Sequence, residues 1–197
     1  MRGKLIIIEG IDGSGTTTQS FLLYKNLKNK KYKVKLTKEP YNKKIINIIK
    51  QKNDPLIDLY LFNLDRHLHY DLIKKWLKEF HFVICDRSFP STLSYQWYAT
   101  YLKNKIPENI ILFLNKISQK NIKPHYVFIL DIDPQAAYTR LTLKKNKSLI
   151  KKFEKVKFLK KVRKGYIYFA KKFKWHIINS NQEINAVNQS IINKIKL

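Results

Sequence analysis

The sequence predicts an α/β fold, a five-stranded parallel sheet covered by helices on both faces. Along the 197 residues, five short apolar runs alternate with longer segments of helical periodicity. The first run, residues 5–8, is apolar without alternation, as expected for a strand that is buried on both faces. Strands separated by helices pair in parallel through right-handed crossovers. Ligands of such sheets bind at the carboxyl ends of the strands, where we expect the functional residues.

The first half of the chain is predicted to contain three of the strands. Apolar residues at helical spacing follow the first strand, and a lysine-rich turn ends that helix. Asp54 and Pro55 have the pattern of an N-cap and a first helical position. The predicted elements are a strand at 5–8, a helix from 17 to about 30, a strand at 32–37, helices at 43–50 and 55–79, a strand at 80–85 and a helix at 88–101.

The second half is predicted to contain the other two strands. Asp133 and Pro134 have the pattern of a cap for a helix that carries Arg140, and the lysine-rich stretch 144–148 interrupts that helix. The other predicted elements are a helix at 107–119, a strand at 126–130, a helix at 150–173, a strand at 175–178 and a helix from about 182. Because the length fits one core and no linker or repeat is present, we expect residues 1–197 to form a single domain.

The composition excludes several classes of protein. A content of 44% hydrophobic and 13% aromatic residues argues against disorder. Cys85 is the only cysteine, which excludes an intramolecular disulfide and a multi-cysteine metal site and indicates a reducing cytoplasm. No apolar run reaches the length of a membrane-spanning helix or has the pattern of a signal peptide. We therefore expect a cytoplasmic protein with no membrane partner.

The net charge is strongly positive: the chain has 40 lysines and arginines and 14 acidic residues, which gives +26. Such a charge attracts nucleotides and other polyanions. The lysines are spread along the chain and interleaved with asparagine and isoleucine, so we interpret them mainly as surface composition. We expect only weak, non-specific and salt-dependent nucleic-acid binding; a dedicated nucleic-acid groove is the alternative.

A glycine-rich segment after the first strand has the pattern of a phosphate-binding loop. Residues 10–17 match G-x-x-x-x-G-K-[ST] at every fixed position but one, where Thr16 replaces the lysine. Backbone N–H groups of such a turn and of the following helix bind phosphate, and Thr17 supplies a hydroxyl for Mg²⁺. An ordinary strand–turn–helix corner is the alternative. The candidate phosphate-binding residues are Gly10, Ile11, Asp12, Gly13, Ser14, Gly15, Thr16, Thr17 and Thr18.

Polar residues that a fold does not require stand at other strand ends and helix starts. Such segments are found at 37–40, 86–88 and 131–134. In the long helix, Phe62 and Arg66 lie one turn apart, where a ring and a cation can hold a base. In order and spacing the segments resemble thymidylate kinases, of the P-loop nucleoside-monophosphate kinase family. The resemblance covers nearly the whole chain and rests on Glu9-Gly-Ile-Asp-Gly-Ser-Gly, Thr37-Lys-Glu-Pro, Phe62…Asp65-Arg66, Asp86-Arg87…Ser94-Tyr95-Gln96, Asp131-Ile-Asp133-Pro134…Arg140 and Phe153-Glu154…Phe158-Leu159…Val162-Arg163…Tyr166.

This resemblance implies a P-loop NTPase type of sheet, a lid segment at about 143–153, a homodimer, and transfer of the γ-phosphate of ATP to dTMP with Mg²⁺. It implies that Asp12 and Arg87 are catalytic, with Asp12 near the sugar 3′-hydroxyl, and that Thr17 and Asp86 serve Mg²⁺. Tyr95 would lie under the deoxyribose, where a ribose 2′-hydroxyl would clash. The implied acceptor-binding residues are Asp12, Glu39, Phe62, Arg66, Arg87, Tyr95 and Gln96, and the implied lid residues are Arg140, Lys144, Lys145, Lys147, Lys151 and Lys152.

The sequence departs from the family pattern at Thr16, at Tyr41-Asn42, which replaces a usual glycine pair, and in the lid, where lysines replace arginines. The open alternatives are a nucleotide-binding protein with degenerate catalysis, a kinase for another nucleoside monophosphate, and a nucleic-acid-binding protein. Individual residues also have structural alternatives. Asp65-Arg66 could be helix-surface charge, Asp86-Arg87 a strand-end ion pair, and Tyr95 a core residue. Asp133 could be a helix cap, and Asp131 has no assigned role. The five histidines, including His67 and His69, lack a ligand set with carboxylates and are interpreted as structural.

Overall fold

In the computed structural model, which describes residues 3–51, 54–143 and 156–196, five strands form one parallel sheet. The strand order is β2-β3-β1-β4-β5, so β1 lies at the centre. The predicted fold class is therefore confirmed. The strands are β1 (Lys4–Gly10), β2 (Val34–Lys38), β3 (Phe82–Asp86), β4 (Tyr126–Asp131) and β5 (His176–Asn179).

Helices cover both faces of the sheet. The helices are α1 (Thr16–Asn29), α2 (Lys43–Ile49), α3 (Pro55–Glu79), α4 (Phe89–Ser91), α5 (Leu102–Lys105), α6 (Glu108–Ser118), α7 (Pro134–Leu143), α8 (Val156–Phe173) and α9 (Ile184–Ile192). Alternate residues of β1 point to opposite sides, so Leu5 and Ile7 pack against α3 and α8 while Ile6 and Ile8 pack against α1 and α9. All four side chains are fully buried, as predicted from the apolar run without alternation.

The predicted helix at 88–101 is wrong in detail. The chain forms α4, then a π-helical segment (Thr92–Tyr98), then α5. The N–H of Ala99 donates to the carbonyl of Ser94, five residues back, which is the π-helical pattern. Residues 92–97 are all buried, and the ordinary helical period would turn some of them to solvent. The sequence pattern could not reveal this widened turn.

The carboxyl ends of the strands form one edge, and the polar segments predicted from the sequence follow it. β2 and β3 begin two residues later than predicted and end one residue later, so Asp86 is the last residue of β3. In the parallel register Asp86 lies beside Ile8 of β1 and Lys38 of β2. The predicted cap of α3 is confirmed, because the N–H of Leu56 donates to Asp54 Oδ1 at 2.8 Å. No helix in the described ranges could span a membrane.

Candidate active site

The loop between β1 and α1 has the backbone of an anion-binding turn. Gly15 precedes α1 with φ of 95°, and Gly13 has φ of 86°, a region that favours glycine. A Cβ atom on Gly13 would lie 2.4 Å from the carbonyl oxygen of Ala137, so a larger residue would not fit. Ser180, after β5, donates from Oγ to the carbonyl of Ser14 at 2.7 Å. The loop therefore lies against Ala137 on one side and is hydrogen-bonded to the β5–α9 connection on another.

Thr17 and Asp86 meet at the mouth of this loop. The hydroxyl of Thr17 donates to Asp86 Oδ2 at 2.6 Å. The other carboxylate oxygen, Oδ1, is buried and has no hydrogen-bond partner within the described ranges. A buried carboxylate oxygen without a partner is costly, and a hard cation would compensate it. The chemistry of this hydroxyl and carboxylate fits Mg²⁺.

Arg87 bridges the phosphate loop and the helix that follows β3. Its Nη2 donates to Asp12 Oδ1 at 2.6 Å, and its guanidinium lies 5.5 Å from the ring centre of Tyr95. Arg87 is in the left-handed region, with φ of 70°, a strained conformation for a non-glycine residue. The backbone is bent so that the guanidinium points toward the loop. The alternative of an Asp86–Arg87 ion pair is wrong, because each residue pairs with a residue of the loop instead.

Tyr95 is a core residue that also contacts the phosphate loop. Its side chain packs in the core cluster on one face of the sheet, and burial is the main cause that raises its pKa far above the usual range. Its hydroxyl oxygen accepts a hydrogen bond from the N–H of Asp12 at 2.8 Å. The ring is therefore fixed against the phosphate loop, and the structural alternative does not exclude a role at the site.

Glu9, one of the residues that carry the family resemblance, lies beneath the site and has no role assigned from the sequence. It is fully buried, and its carboxylate accepts hydrogen bonds from the N–H of Ser88 at 2.6 Å and from the hydroxyls of Ser91 and Tyr166, each at 2.8 Å. Burial raises the pKa of Glu9 to about 7, against the opposing effects of Arg87 and of these hydrogen bonds. Glu9 thus joins β1, α4 and α8 in one network.

We expect stability to depend on the proton of Glu9. Its pKa rises from 4.5 in the unfolded chain to about 7, so the folded protein holds this proton over that interval while the unfolded chain has lost it. The stabilisation is complete below pH 4.5 and is lost as the pH rises through 7, a total of about 3 kcal/mol. Between pH 5 and 8, Glu9→Gln should therefore lose less stability than the wild type in urea unfolding. The exposed Glu79→Gln is the control and should lose stability as the wild type does. If the stability of Glu9→Gln falls with pH as steeply as that of the wild type, the raised pKa of Glu9 is contradicted.

Arg66 lies at the centre of a buried polar network. Its side chain is 1% exposed, so the alternative of helix-surface charge is wrong. Nε donates to Glu39 Oε2 at 3.0 Å, Nη1 to Asn115 Oδ1 at 3.0 Å, and Nη2 to Thr92 Oγ1 at 2.9 Å. A guanidinium carries five N–H donors, so two are left for a ligand. The network holds Arg66 in one orientation.

The histidine prediction needs one correction. His69 is fully buried, and its Nδ1 lies 3.3 Å from Glu39 Oε1 while its Nε2 lies 2.8 Å from Thr37 Oγ1. Ligand-type atoms of Glu39, His69 and Cys85 lie within 4.8 Å of one another, so a histidine does meet a carboxylate here. The end of β2, the helix α3 and the strand β3 bring these residues together from distant positions. Because Arg66 already neutralises Glu39, the arrangement is explained as a hydrogen-bond network.

Tyr41 and Asn42, which replace the usual glycine pair, have structural partners. Their N–H groups donate to Asp65, from Tyr41 to Oδ2 at 2.8 Å and from Asn42 to Oδ1 at 2.6 Å. Burial raises the pKa of Asp65 against these hydrogen bonds. The ring of Tyr41 stacks on His69 at 4.5 Å, and Asn42 caps α2. Asp65 therefore fixes the loop after β2 from inside α3.

The remaining candidates are distributed around this edge. Phe62 is half-buried on α3, and Gln96 is buried in the π-helical segment. Arg140 is the one lid candidate in the described ranges; its Nη2 donates to the carbonyl of Ser180 at 3.3 Å. Ile11 is buried, and Thr18 is half-buried in the first turn of α1. The predicted lid lysines, which lie outside the described residues, are Lys144, Lys145, Lys147, Lys151 and Lys152.

The two acids after β4 have structural roles. Asp133 caps α7, because its Oδ1 accepts from the N–H of Gln135 at 2.8 Å and of Ala136 at 3.1 Å, which confirms the cap. Asp131, which had no assigned role, forms a two-pronged ion pair with Arg163 of α8 at 2.6 and 2.8 Å. This pair attaches α8 to the edge of the sheet that carries the site.

Several residues of the site were missed at the sequence level. A carboxylate at position 9, at the end of an apolar strand, was a signal for Glu9. Thr92 and Asn115 gave none, because a single polar residue in a helix has the same appearance whether it faces solvent or a distant arginine. Ser180 likewise has no local motif. These residues can be recognised as part of the site only from the structure, in which α3, α6 and the strand ends lie close together.

The chain is similar to known proteins over nearly its whole length. Residues 8–191 match the family model of thymidylate kinase. A probable thymidylate kinase 1 of Saccharolobus solfataricus is 34% identical over 196 residues, 98% of this chain and 97% of the relative. A probable thymidylate kinase of Pyrococcus horikoshii is 32% identical and covers 100% of this chain and 97% of its own. The crystal structure of thymidylate kinase from Ehrlichia chaffeensis has a TM-score of 0.77 at 31% identity and covers both chains completely. The chain therefore belongs to the thymidylate kinase family and is an ATP-dependent nucleoside monophosphate kinase that phosphorylates dTMP.

Proposed function

We propose that this site transfers the γ-phosphate by aligning two nucleotides and neutralising charge, without a covalent enzyme intermediate. An oxygen of the dTMP phosphate forms a bond to the γ-phosphorus while the bond from that phosphorus to the bridging oxygen breaks, which leaves ADP and dTDP. The protein positions both phosphates and donates hydrogen bonds to the charge that spreads over them. The observation that carries this proposal is the buried Asp86 Oδ1, which has no hydrogen-bond partner among the described residues and lies beside the hydroxyl of Thr17.

The donor phosphates would lie on the loop from Gly10 to Thr18, where backbone N–H groups and the start of α1 offer donors. Thr17 and Asp86 would hold Mg²⁺, which would neutralise the donor phosphates. Asp86 also keeps the Thr17 hydroxyl oriented, since that hydroxyl donates to Oδ2. The chain thus contributes one hydroxyl, one carboxylate and the loop backbone to the donor side.

The acceptor would lie between the loop and α3. Arg87 would clamp its phosphate, with Asp12 holding the guanidinium in place. Arg66 would donate to the thymine, and Glu39 holds Arg66 in position. Tyr95, fixed through the N–H of Asp12, would lie under the deoxyribose and exclude a ribose 2′-hydroxyl. Phe62 would stack on the base, with Gln96 beside it.

The experiment that tests the proposal is Asp86→Asn. We expect the affinity for Mg²⁺ to fall by about 10-fold to 100-fold, because a coordinating carboxylate becomes a neutral amide. The measurement is the rise in melting temperature on titrating Mg²⁺ in the presence of ADP, followed by dTDP formation. Asp133→Asn is the matched control, since it removes a charge at the same edge and an asparagine still caps α7. An unchanged Mg²⁺ titration for Asp86→Asn would refute the metal site.

We also propose a homodimer, because the neighbouring helices α3 and α6 each expose several large apolar side chains. The two helices are joined by a hydrogen bond from Ser118 Oγ to Asn63 Oδ1 at 2.9 Å. Large exposed apolar patches mark interaction surfaces, and in a chain of +26 an apolar face is the one on which a second copy meets least repulsion. The surface consists of Ile57, Tyr60, Leu64, Leu68, Ile110, Phe113 and Ile117, each at least 45% exposed.

The wild type is therefore expected to sediment with twice the mass of the 23.6 kDa chain. Phe113, 59% exposed near the middle of α6, is the residue to replace. Phe113→Lys should give a monomer, whereas Phe21→Lys, on α1 and 46% exposed, should leave the dimer intact. A monomeric wild type at micromolar concentration, or a dimeric Phe113→Lys, would contradict this interface.

The predictions about nucleic-acid binding and about cellular location are kept as proposals. The dispersed charge of +26 supports only weak, salt-dependent binding to nucleic acid. A cytoplasmic location is supported by Cys85, an unpaired thiol buried in β3.

A further inference from the structure

A cavity of about 550 Å³ lies away from the phosphate loop, where the first residues of β4 and β5 meet the ends of α6 and α8. This volume is in the range of small-molecule sites, roughly 300 to 1,000 Å³. The mechanism above uses none of it as a substrate site. Three residues next to or within its walls, Lys120, Asn121 and Lys174, have positive φ. These residues lie just past the ends of α6 and α8, where a left-handed residue commonly ends a helix.

One wall of the cavity is aromatic. The rings of Phe173 and Trp175 stack at 5.2 Å, and Phe89 meets Trp175 edge-on at 5.6 Å. Phe173 is 39% exposed, although its ring is part of this stack. Tyr126 and His176, the first residues of β4 and β5, stack at 6.3 Å on another wall. Aromatic faces left open in this way suit a planar ring.

The charge of the lining is positive. Lys116, Lys123 and Lys174 line the cavity, and none of its sixteen lining residues carries a carboxylate. His125 accepts the N–H of Leu5 at its Nδ1, so its proton is on Nε2, where it is a donor. The C-terminal ends of α6 and α8 oppose this with about half a negative charge each, far less than three lysines supply. An anion is therefore favoured over a cation.

The cavity is also connected to the acceptor side of the active site. Asn115 lines the cavity and is 1% exposed. Its Oδ1 accepts from Nη1 of Arg66 at 3.0 Å, and its carbonyl accepts from Nε2 of Gln119, another lining residue, at 2.9 Å. A ligand that moves Gln119 or the end of α6 would therefore act on the guanidinium of Arg66 through two hydrogen bonds.

We propose that this cavity is a second binding site, for an aromatic anion, and that its occupancy changes the affinity for dTMP through Asn115 and Arg66. The existence of this second site does not depend on how the active site is assigned, whereas the coupling rests on the proposed contact of Arg66 with the thymine. The coupling is reciprocal, so dTMP must alter the affinity for the anion by the same factor.

Binding is tested by calorimetry with naphthalene-2-sulfonate as the probe, on wild type whose active site is saturated with dTMP and ADP. Naphthalene-2-sulfonamide is its neutral counterpart. The sulfonate should bind about tenfold more tightly than the sulfonamide, and about tenfold more weakly to Lys123→Gln/Lys174→Gln than to wild type. The control Lys30→Gln/Lys161→Gln removes the same charge from exposed positions elsewhere and should bind as wild type does. No binding, equal binding of the two probes, or equal loss in both double variants would overturn the site.

Coupling is tested by the KM for dTMP with and without saturating sulfonate. We expect a change of about fivefold or more in KM, with a smaller change in kcat. In Asn115→Ala the sulfonate should still bind, but the ratio of the two KM values should fall to one. Binding without any change in the wild-type KM would overturn the coupling. If Arg66 does not contact dTMP at all, Arg66→Lys would leave the KM for dTMP unchanged, while probe binding would still be weakened in Lys123→Gln/Lys174→Gln. A failure of the proposed Arg66 contact is therefore distinguishable from a failure of the second site.

Discussion

Replacing Arg87 is expected to lower kcat for dTMP phosphorylation by about 10²-fold to 10³-fold, the loss typical of removing one preorganised donor to a developing charge. Arg87 is the one described arginine whose guanidinium contacts the phosphate loop directly, through Asp12 at 2.6 Å. Its fork is held by that carboxylate and by the face of Tyr95. A rigid fork can donate two parallel hydrogen bonds to phosphate oxygens, so Arg87→Lys should recover only a small part of the rate.

The backbone conformation of Arg87 allows a loss of activity to be distinguished from a loss of folding. Because φ is 70°, Arg87→Gly relieves a conformation that costs about 1 kcal/mol or more in a non-glycine residue. We therefore expect a large fall in kcat with a small change in melting temperature. Lys120→Gly is the matched control, since Lys120 also has positive φ and also forms an ion pair, with Asp71 at 2.6 Å. If Arg87→Gly keeps its rate within about fivefold of wild type, Arg87 is not the donor proposed here.

Those parts of the site that lie on one short segment could be predicted from the sequence. The loop from Gly10 to Thr18 is local, because strand, turn and helix follow one another and the glycines mark the turn. Asp86 and Arg87 could be placed because a parallel sheet brings the ends of β1 and β3 together, whichever residues lie between them. The sequence could not indicate that each would pair with the loop rather than with the other.

The network around Arg66 could not be predicted, because its members come from four separate elements. Glu39 follows β2, Thr92 is in the π-helical segment, and Asn115 is on α6. Each of these is a common polar residue with no motif of its own, and the contact depends on how α3 and α6 pack. The widened turn at 92–98 adds to the difficulty, since it changes which side chains face inward.

The departure at Tyr41-Asn42 has a structural explanation that the departure at Thr16 lacks. Asp65 accepts both N–H groups, and Tyr41 stacks on His69, so this pair replaces glycines with a defined set of contacts. Thr16 is the first residue of α1 and is 6% exposed. A threonine hydroxyl offers one neutral donor and cannot place a positive charge against the β- and γ-phosphates.

Thr16→Lys is therefore expected to raise kcat or to tighten ATP binding. An uncompensated loss of one such donor costs on the order of 3 kcal/mol, or about 10²-fold in rate, so we expect a slow wild type in which other cations compensate in part. Arg87 and Arg140 are the described candidates, although each is already bonded, to Asp12 and to the carbonyl of Ser180. The lid lysines are the others, and lysine is a flexible point charge that would give a looser arrangement.

Two variants of Thr16 distinguish the effect of side-chain charge from that of side-chain length, and a third variant tests compensation by the lid lysines. Thr16→Lys should gain rate, whereas Thr16→Met, similar in length but neutral, should not. Replacing Lys144, Lys145 and Lys147 by alanine should lower kcat more than it raises KM for dTMP, because a lid formed by these lysines would act on the phosphoryl being transferred rather than on the bound base. Steady-state formation of dTDP is the measurement. A triple variant as fast as wild type would refute compensation by the lid, and equal gains from lysine and methionine would show that side-chain length, rather than charge, limits the loop.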